Sequence, residues 1–396
     1  MRKIDRENNS DMQDNSEKKY RDSADPHKYL EQLNNVDPEE AKQWLNIGVD
    51  VSEENRAGTF IQKDCSVVHS GCKNQQVEIM GISDALKKHA WLSDYVWYLI
   101  SPDKDEFTKM AHEMPHEGYF IRSYPGARVE DPVQSCLYIS EEGLSQHVHN
   151  IVIAEEDSEM HIITGCATAP HLRTGLHVGI SEFYVKKNAT LHFTMIHHWG
   201  DEIEVRPRSV IHVEDGGTVV SNYISLRPVG SLQMYPVTYL DGKDSVARFN
   251  SILVAPPGCE LDVGSKVVLS QTGARAEIIS RAITTGGTII ARGEMDGKVE
   301  GVKGHLECKG LILKDGIMHA IPELMGRVPG IDMSHEAAVG KIDQKEIEYL
   351  MARGLDEETA VSTIVRGFLN VDIEGLPPGL AEEIDRVVGE TQHDAM

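Results

Sequence analysis

From Gly118 to about Leu313 apolar and polar residues alternate in short runs broken by Gly, Pro and Asp, the period-two signature of β-strands. Helical periodicity nearly disappears over this stretch. NATLHFTMI begins at Asn188, GGTVVSNYI at Gly216, DSVARFNSI at Asp244 and GARAEIISR at Gly273, giving steps of 28, 28 and 29 residues. Weaker strand patterns lie between them, EIEVRPRSVIHV (202–213) and SLQMYPVTYL (231–240). Two strands per repeat, each followed by a turn, is what a two-sheet parallel β-helix requires. Spacing alone also leaves a sandwich or a jelly roll open.

The flanks read differently. Residues 1–26 alternate charges and amides, with Ile4 and Met12 as the only sizeable aliphatic side chains, and are expected to form a flexible tail. A helical region is expected over 27–115. Asp37 is placed as an N-cap with Pro38 at the first helical position, Ala41, Trp44 and Leu45 follow, and Gly48 ends the helix. A second helix is predicted from Ser83 through Leu86, Ala90 and Trp91. The β core is expected over 116–330 and a C-terminal helical region over 331–396. There Asp343 and Glu346 form a capping-box-like start, and Ile347, Leu350 and Met351 mark one helical face. A further helix from Asp356 carries Val361, Ile364, Val365 and Phe368 at helical spacing.

Charge narrows the partners. Lys and Arg number 39 against 63 Asp and Glu, a net charge of −24, which excludes a broad basic surface for a nucleic-acid backbone. The first residues hold no signal-peptide core and no run reaches membrane-spanning length, so a cytoplasmic chain without membrane attachment is expected. Six cysteines are too scattered for a disulfide framework. Cys65, His69 and Cys72 lie close in sequence, but their spacing matches no closed zinc pattern and a fourth ligand is missing. No G-x-x-x-x-G-K-[ST] occurs, so nucleotide hydrolysis, if required, belongs to a partner.

The richest chemistry is late in the chain. Cys308 is followed within 28 residues by His319, His335 and Glu336, a mixed sulfur, nitrogen and oxygen donor set suited to iron or zinc. Strand alternation sets Cys308 with Leu306 and opposite His305 and Glu307, the pattern of a buried, inert thiol. His335 and Glu336 stand about one repeat further on, so continued winding would bring them near Cys308.

Four motifs, GHLECKGLIL (304–313), SHEAAVGKID (334–343), ITGCATAP (163–170) and GLHVGISEFY (175–184), resemble the SufB/SufD family of iron–sulfur cluster assembly proteins, and the likeness extends loosely from Asp64 to Leu369. It implies a mostly β fold, a right-handed parallel β-helix with helical regions at both ends. It implies that Cys308 matches the cysteine on which SufB members build the nascent cluster, and that His335 matches a histidine facing that cysteine across a dimer. A homodimer, or a dimer with a SufD-like paralogue, is therefore expected, with Cys308, His335 and Glu336 holding a transient iron–sulfur cluster destined for apoprotein acceptors. The segment carrying Ile347, Leu350, Met351, Val361, Ile364, Val365 and Phe368 matches the region that docks SufC, an ABC-type ATPase.

Cys166 aligns with the cysteine that accepts persulfide sulfur in bacterial SufB, which demands an accessible thiolate. His177 matches a histidine near the sulfur path. Where those relatives carry a lysine and a glutamate, this chain reads RPR (206–208) and VHN (148–150), which puts the same sulfur donor in question. The leading expectation is a cluster-assembly scaffold and not itself an enzyme. Two alternatives stand beside it: a SufD-like structural subunit without its own cluster, and a β-helix carbohydrate-active enzyme using paired carboxylates.

Overall fold

The computed structural model describes residues 20–369. Most of the expected N-terminal tail, and the C-terminal region beyond residue 369, lie outside the described residues. Two sheets of ten and eleven strands wind a parallel β-helix of about eight turns, flanked by short helices at both ends.

One sheet stacks Gly58–Lys63, Val133–Ile139, Glu159–Thr168, Thr190–His198, Thr218–Ser225, Val246–Ala255, Arg275–Thr284, Lys303–Ile312 and Asp332–Gly340, each parallel to the next. The other ends in Glu260–Leu269, Thr288–Gly297 and Ile317–Gly326. Earlier in that sheet two coils are split, into Glu202–Val205 with Arg208–Val213 and Ser231–Met234 with Val237–Leu240. Pro207 and Pro236 stand at the breaks, where a missing N–H removes a ladder bond.

The even spacing has a local cause. Asp157, Asn188, Gly216, Asp244, Gly273, Gly301 and Gly330 all take positive φ, one at the corresponding corner of each successive coil. Only Gly, Asn and Asp adopt this conformation readily. Gly273 has φ +80°, and a Cβ there would also strike the Asp244 carboxylate of the coil below. Gly273→Ala should therefore destabilise the fold by about 1–2 kcal/mol, read as a lower Tm, whereas Asp244→Gly should not strain that corner.

The outer face of the second sheet is also buried, because the N-terminal region lies on it. Ile82, Ala85 and Leu92 cover Phe120, Ile151, Ile153 and Tyr184, while Ile100 and Ala111 cover Leu176, Val178 and Ile180. On the first sheet the helix Pro38–Asn46, capped by the Asp37 carboxylate, leads into Ile47, which sits directly over Gly165. A side chain at Gly165 would collide with Ile47, which explains the glycine beside Cys166.

Two stretches differ from the sequence-based expectation. The region 27–115 contains an antiparallel hairpin, Gly58–Lys63 with Ser66–Cys72, and the strand Val77–Gly81, all edging the two sheets, besides its helices. At the other end the winding runs on to Gly340, so SHEAAVGK is a strand and not the start of the helical region. Pro322 is tolerated inside Ile317–Gly326 because that strand is paired on one side only.

The helices Gln344–Met351 and Glu357–Leu369 follow, the first capped by the Asp343 carboxylate accepting the Lys345 N–H at 3.0 Å. Much of the predicted partner-binding stripe is used within the chain. Ile347 and Val365 are buried, and Val361 and Phe368 pack on the core, Phe368 lying 6.0 Å from the Arg281 guanidinium. Tyr349 and Met351 remain 59% and 40% exposed. Among the described residues no helix is long and apolar enough to cross a membrane.

Candidate functional site

Cys308 lies in Lys303–Ile312, whose inward positions Gly304, Leu306 and Cys308 are buried while His305, Glu307 and Lys309 face out. It is 0% exposed, and burial pushes its thiol up to about 11. In the adjoining edge strand His335 lies opposite Leu306 and Ala337 opposite Cys308. His335 and Cys308 thus stand diagonally on the same inward face, where the edge strand itself is largely exposed.

Glu336 is not part of that pair. It lies opposite Glu307 on the outward face, 3.2 Å from Lys309, which also bonds Glu307. His319 is opposite Ile290 and exposed, so it too looks outward. The structure brings together the sulfur and nitrogen donors and turns the carboxylate away. Among the described residues no three His, Cys, Asp or Glu groups are gathered to hold a metal ion.

Parallel register continues the inward row away from Cys308. Ser280 lies opposite Cys308, Ser251 opposite Ser280, and Tyr223 opposite Ser251. A cavity of about 50 Å³ lies along this row, lined in part by Tyr223, Ser251, Ser265 and Ser280. The Tyr223 hydroxyl shares a 2.7 Å hydrogen bond with His197 Nδ1, and His197 lies opposite Cys166. His177 completes this end, its Nδ1 2.9 Å from Gln146 Oε1. Sequence reasoning named Cys166 and His177 but missed His197 and Tyr223. Their signal was the position of His197 one coil after Cys166.

The thiol and imidazoles at this end are held neutral by burial. Cys166 is 1% exposed and its thiol is raised far above the usual range, His177 is pushed down to about 3, and burial holds His197 well below the usual imidazole range. Burial also lowers His161 to about 4. Because the folded histidines have depressed pKa values, the unfolded chain binds more protons between pH 6.5 and about 3. Their stabilisation is complete above pH 6.5 and is lost as pH falls through that window, by up to about 1.4 kcal/mol per group per pH unit. Thermal melts should show Tm falling from pH 6.5 to 4, with a shallower slope in His177→Gln.

Other sequence candidates separate. Cys72 Sγ donates to the Asn74 and Val77 carbonyls, His69 Nδ1 lies 2.8 Å from the Leu30 carbonyl, and Cys65 sits in the turn before the strand, so these three do not converge. Arg206 and Arg208 face outward against the Phe107 ring at 5.7 and 5.0 Å. Of 148–150, Val148 and Asn150 face inward, whereas His149 bonds Glu182 at 2.8 Å on the outer side.

A family model described as the SufBD core domain of the SUF system of iron–sulfur cluster assembly matches residues 137–368. An iron–sulfur cluster assembly SufBD family protein of Archaeoglobus fulgidus is 50% identical over 362 residues, 91% of this chain and 96% of that protein. A protein of the same description from Methanothermobacter thermautotrophicus is 48% identical over 378 residues, covering 94% of this chain and 92% of the relative. The SufB protein of Bacillus subtilis is 29% identical over 366 residues, 89% of this chain and 78% of its own length. With its motifs threaded on a parallel solenoid and a core-domain match spanning more than half its length, the chain belongs to the SufBD family of iron–sulfur cluster assembly proteins.

Proposed function

We propose that this chain is a scaffold on which an iron–sulfur cluster is built and from which it is handed to apoproteins, with Cys308 and His335 as ligands. The observation that carries this reading is their shared inward face at the end of the solenoid, where the last strand is largely uncovered. A thiolate and an imidazole offer iron fewer soft donors than four cysteines, and a cluster held so is readily given up.

The remaining ligands come from a second copy or a SufD-like paralogue. Ile317–Gly326 and Asp332–Gly340 pair on one side only and expose Ile317, Met325 and Val339 beside them, a surface that supports edge-to-edge pairing. Glu336 joins the ligand set only if the last strand turns over, so in this conformation the carboxylate is an ion-pair partner of Lys309.

Cys308 must be uncovered to receive iron. The strand beside it is followed after three residues by the helix Gln344–Met351, and the helix Glu357–Leu369 lies against Arg275–Thr284. A SufC-type ATPase docked on these helices, through Tyr349 and Met351 among other groups, would pull on the strand that borders the thiol. Hydrolysis belongs to that partner, and the scaffold performs no reaction of its own. Sulfur reaches Cys308 along the inward face, from Cys166, His177 and His197 across the Tyr223 hydroxyl to the row that ends at Cys308.

The burial of Cys308 favours a second reading, a SufD-like subunit that contributes structure and a histidine. Anoxic reconstitution of the full chain separates the two. A scaffold takes up iron and acid-labile sulfide by itself, whereas a structural subunit takes up neither until a SufB-type partner is added.

A further inference from the structure

Outside the inward face at Cys166 lies a cleft of about 510 Å³, bordered by 167–173, 198–202, Arg227 and Pro228, with Gln43 of the N-terminal helix at its rim. It opens where the chain leaves the Cys166 and His197 strands, so Ala167, Thr168 and His198 line it directly. Between cleft and interior stands Trp199, 4% exposed. Its ring lies 4.9 Å from His177 and 5.3 Å from His197, the two histidines at the Cys166 end of the inward face. The indole N–H is buried with no acceptor among the described residues, which disfavours the position the ring occupies.

We infer that this cleft is the port through which hydrogen sulfide enters the solenoid, and that the Trp199 indole is its gate. The inference rests on the sulfur route proposed above, and it deepens that proposal by naming the species that travels.

Size and charge both select that species. A protein-borne persulfide must bring its outer sulfur into bonding contact with a Cys166 thiolate, but this thiol is buried behind an indole and keeps its proton. Hydrogen sulfide is close to water in size and is uncharged in its protonated form. Beyond Trp199 the groups it meets on this face are neutral imidazoles, a phenol, serine hydroxyls and thiols. A neutral molecule passes there without the penalty of burying an unpaired charge.

The port can be read without iron or cluster, so this inference can fail while the ligand assignment stands. Cys166 and Cys136 are the paired probes. Cys136 lies opposite Gly165, on the other face of the same sheet beneath the N-terminal region, and is equally buried. The full-length chain and its Trp199→Ala and Trp199→Phe variants are treated with neutral methyl methanethiosulfonate, and each cysteine is followed by peptide mass spectrometry. Trp199→Ala should label Cys166 about tenfold faster than the parent, since a local opening step is removed. Trp199→Phe should stay near the parent rate, Cys136 should not change, and an anionic methanethiosulfonate should label Cys166 much more slowly than the neutral reagent. An unchanged Cys166 rate in Trp199→Ala overturns the gate, and so does a parallel rise at Cys136, which would mean general loosening. Equal labelling by the two reagents overturns the selection for an uncharged species.

Discussion

Purified without oxygen and offered ferrous iron and sulfide, a Cys308→Ala chain should take up almost no labile iron–sulfide, while His335→Ala should retain part of the parent's capacity. The difference follows from donor chemistry. Cys308 is the sole cysteine at its end of the solenoid: Cys65 and Cys72 belong to the hairpin at the other end, Cys136 faces the opposite side of the sheet, Cys166 lies five strands back on the same sheet, two positions off the Cys308 row, and Cys259 stands at the corner before Glu260–Leu269, its Sγ accepting the Val229 N–H. Iron in a cluster binds thiolate far more strongly than an imidazole or water replacement, so losing the only soft donor removes the anchor. Losing His335 leaves a position that solvent or a thiol can fill. Ser245→Ala, at the corner of an earlier coil, is the matched control, because it trims a buried serine away from the ligands and from the inward row. Parent-like iron and sulfide in the Cys308→Ala chain would falsify the assignment of the site.

The sequence carried the winding because the winding is a local property. Asn188, Gly216, Asp244 and Gly273 mark strand starts in the sequence, and each turns out to be the left-handed corner of its coil. The caps at Asp37 and Asp343 were equally legible, since each needs only its own next few residues. Register is different. Cys308 lies opposite Ala337, a step of 29, so His335 at 27 shares its face and Glu336 at 28 does not. A one-residue difference in coil length exchanges inside for outside, and no spacing argument resolves it. The last strand itself was hidden because its residues Asp332–Gly340 are exposed on both faces, which removes the apolar alternation that marks a strand. Gly165 and Trp199 depend on what a distant segment lays over them, Ile47 in one case and the cleft wall in the other.

The same dependence on a distant segment makes Glu182 the position where one substitution should cost most stability. It lies within GLHVGISEFY and is 0% exposed, because residues 95–100 fold across it. Its Oε1 accepts the Trp97 N–H at 2.6 Å and faces His149 Nε2 at 2.8 Å, while its Oε2 accepts the Leu99 N–H at 2.5 Å and the Ile100 N–H at 3.3 Å. Trp97 is held at φ +60°, a conformation a bulky residue adopts only under constraint, and its ring packs 4.3 Å from His149. Glu182→Ala leaves three backbone donors and an imidazole without their acceptor in a buried setting, an expected loss of about 3–5 kcal/mol. Glu182→Gln keeps one acceptor oxygen but turns an amide N–H toward donors, so it should recover only part of the loss. Hydrogen exchange should find the first new opening at residues 95–100, ahead of the solenoid strands, since those contacts alone lose their anchor. Cluster uptake by the folded fraction should be unchanged, because Glu182 lies several coils from Cys308. A Tm within a degree of the parent, with exchange at Trp97 and Leu99 unaltered, would mean that the segment is held by its apolar contacts and not by the carboxylate.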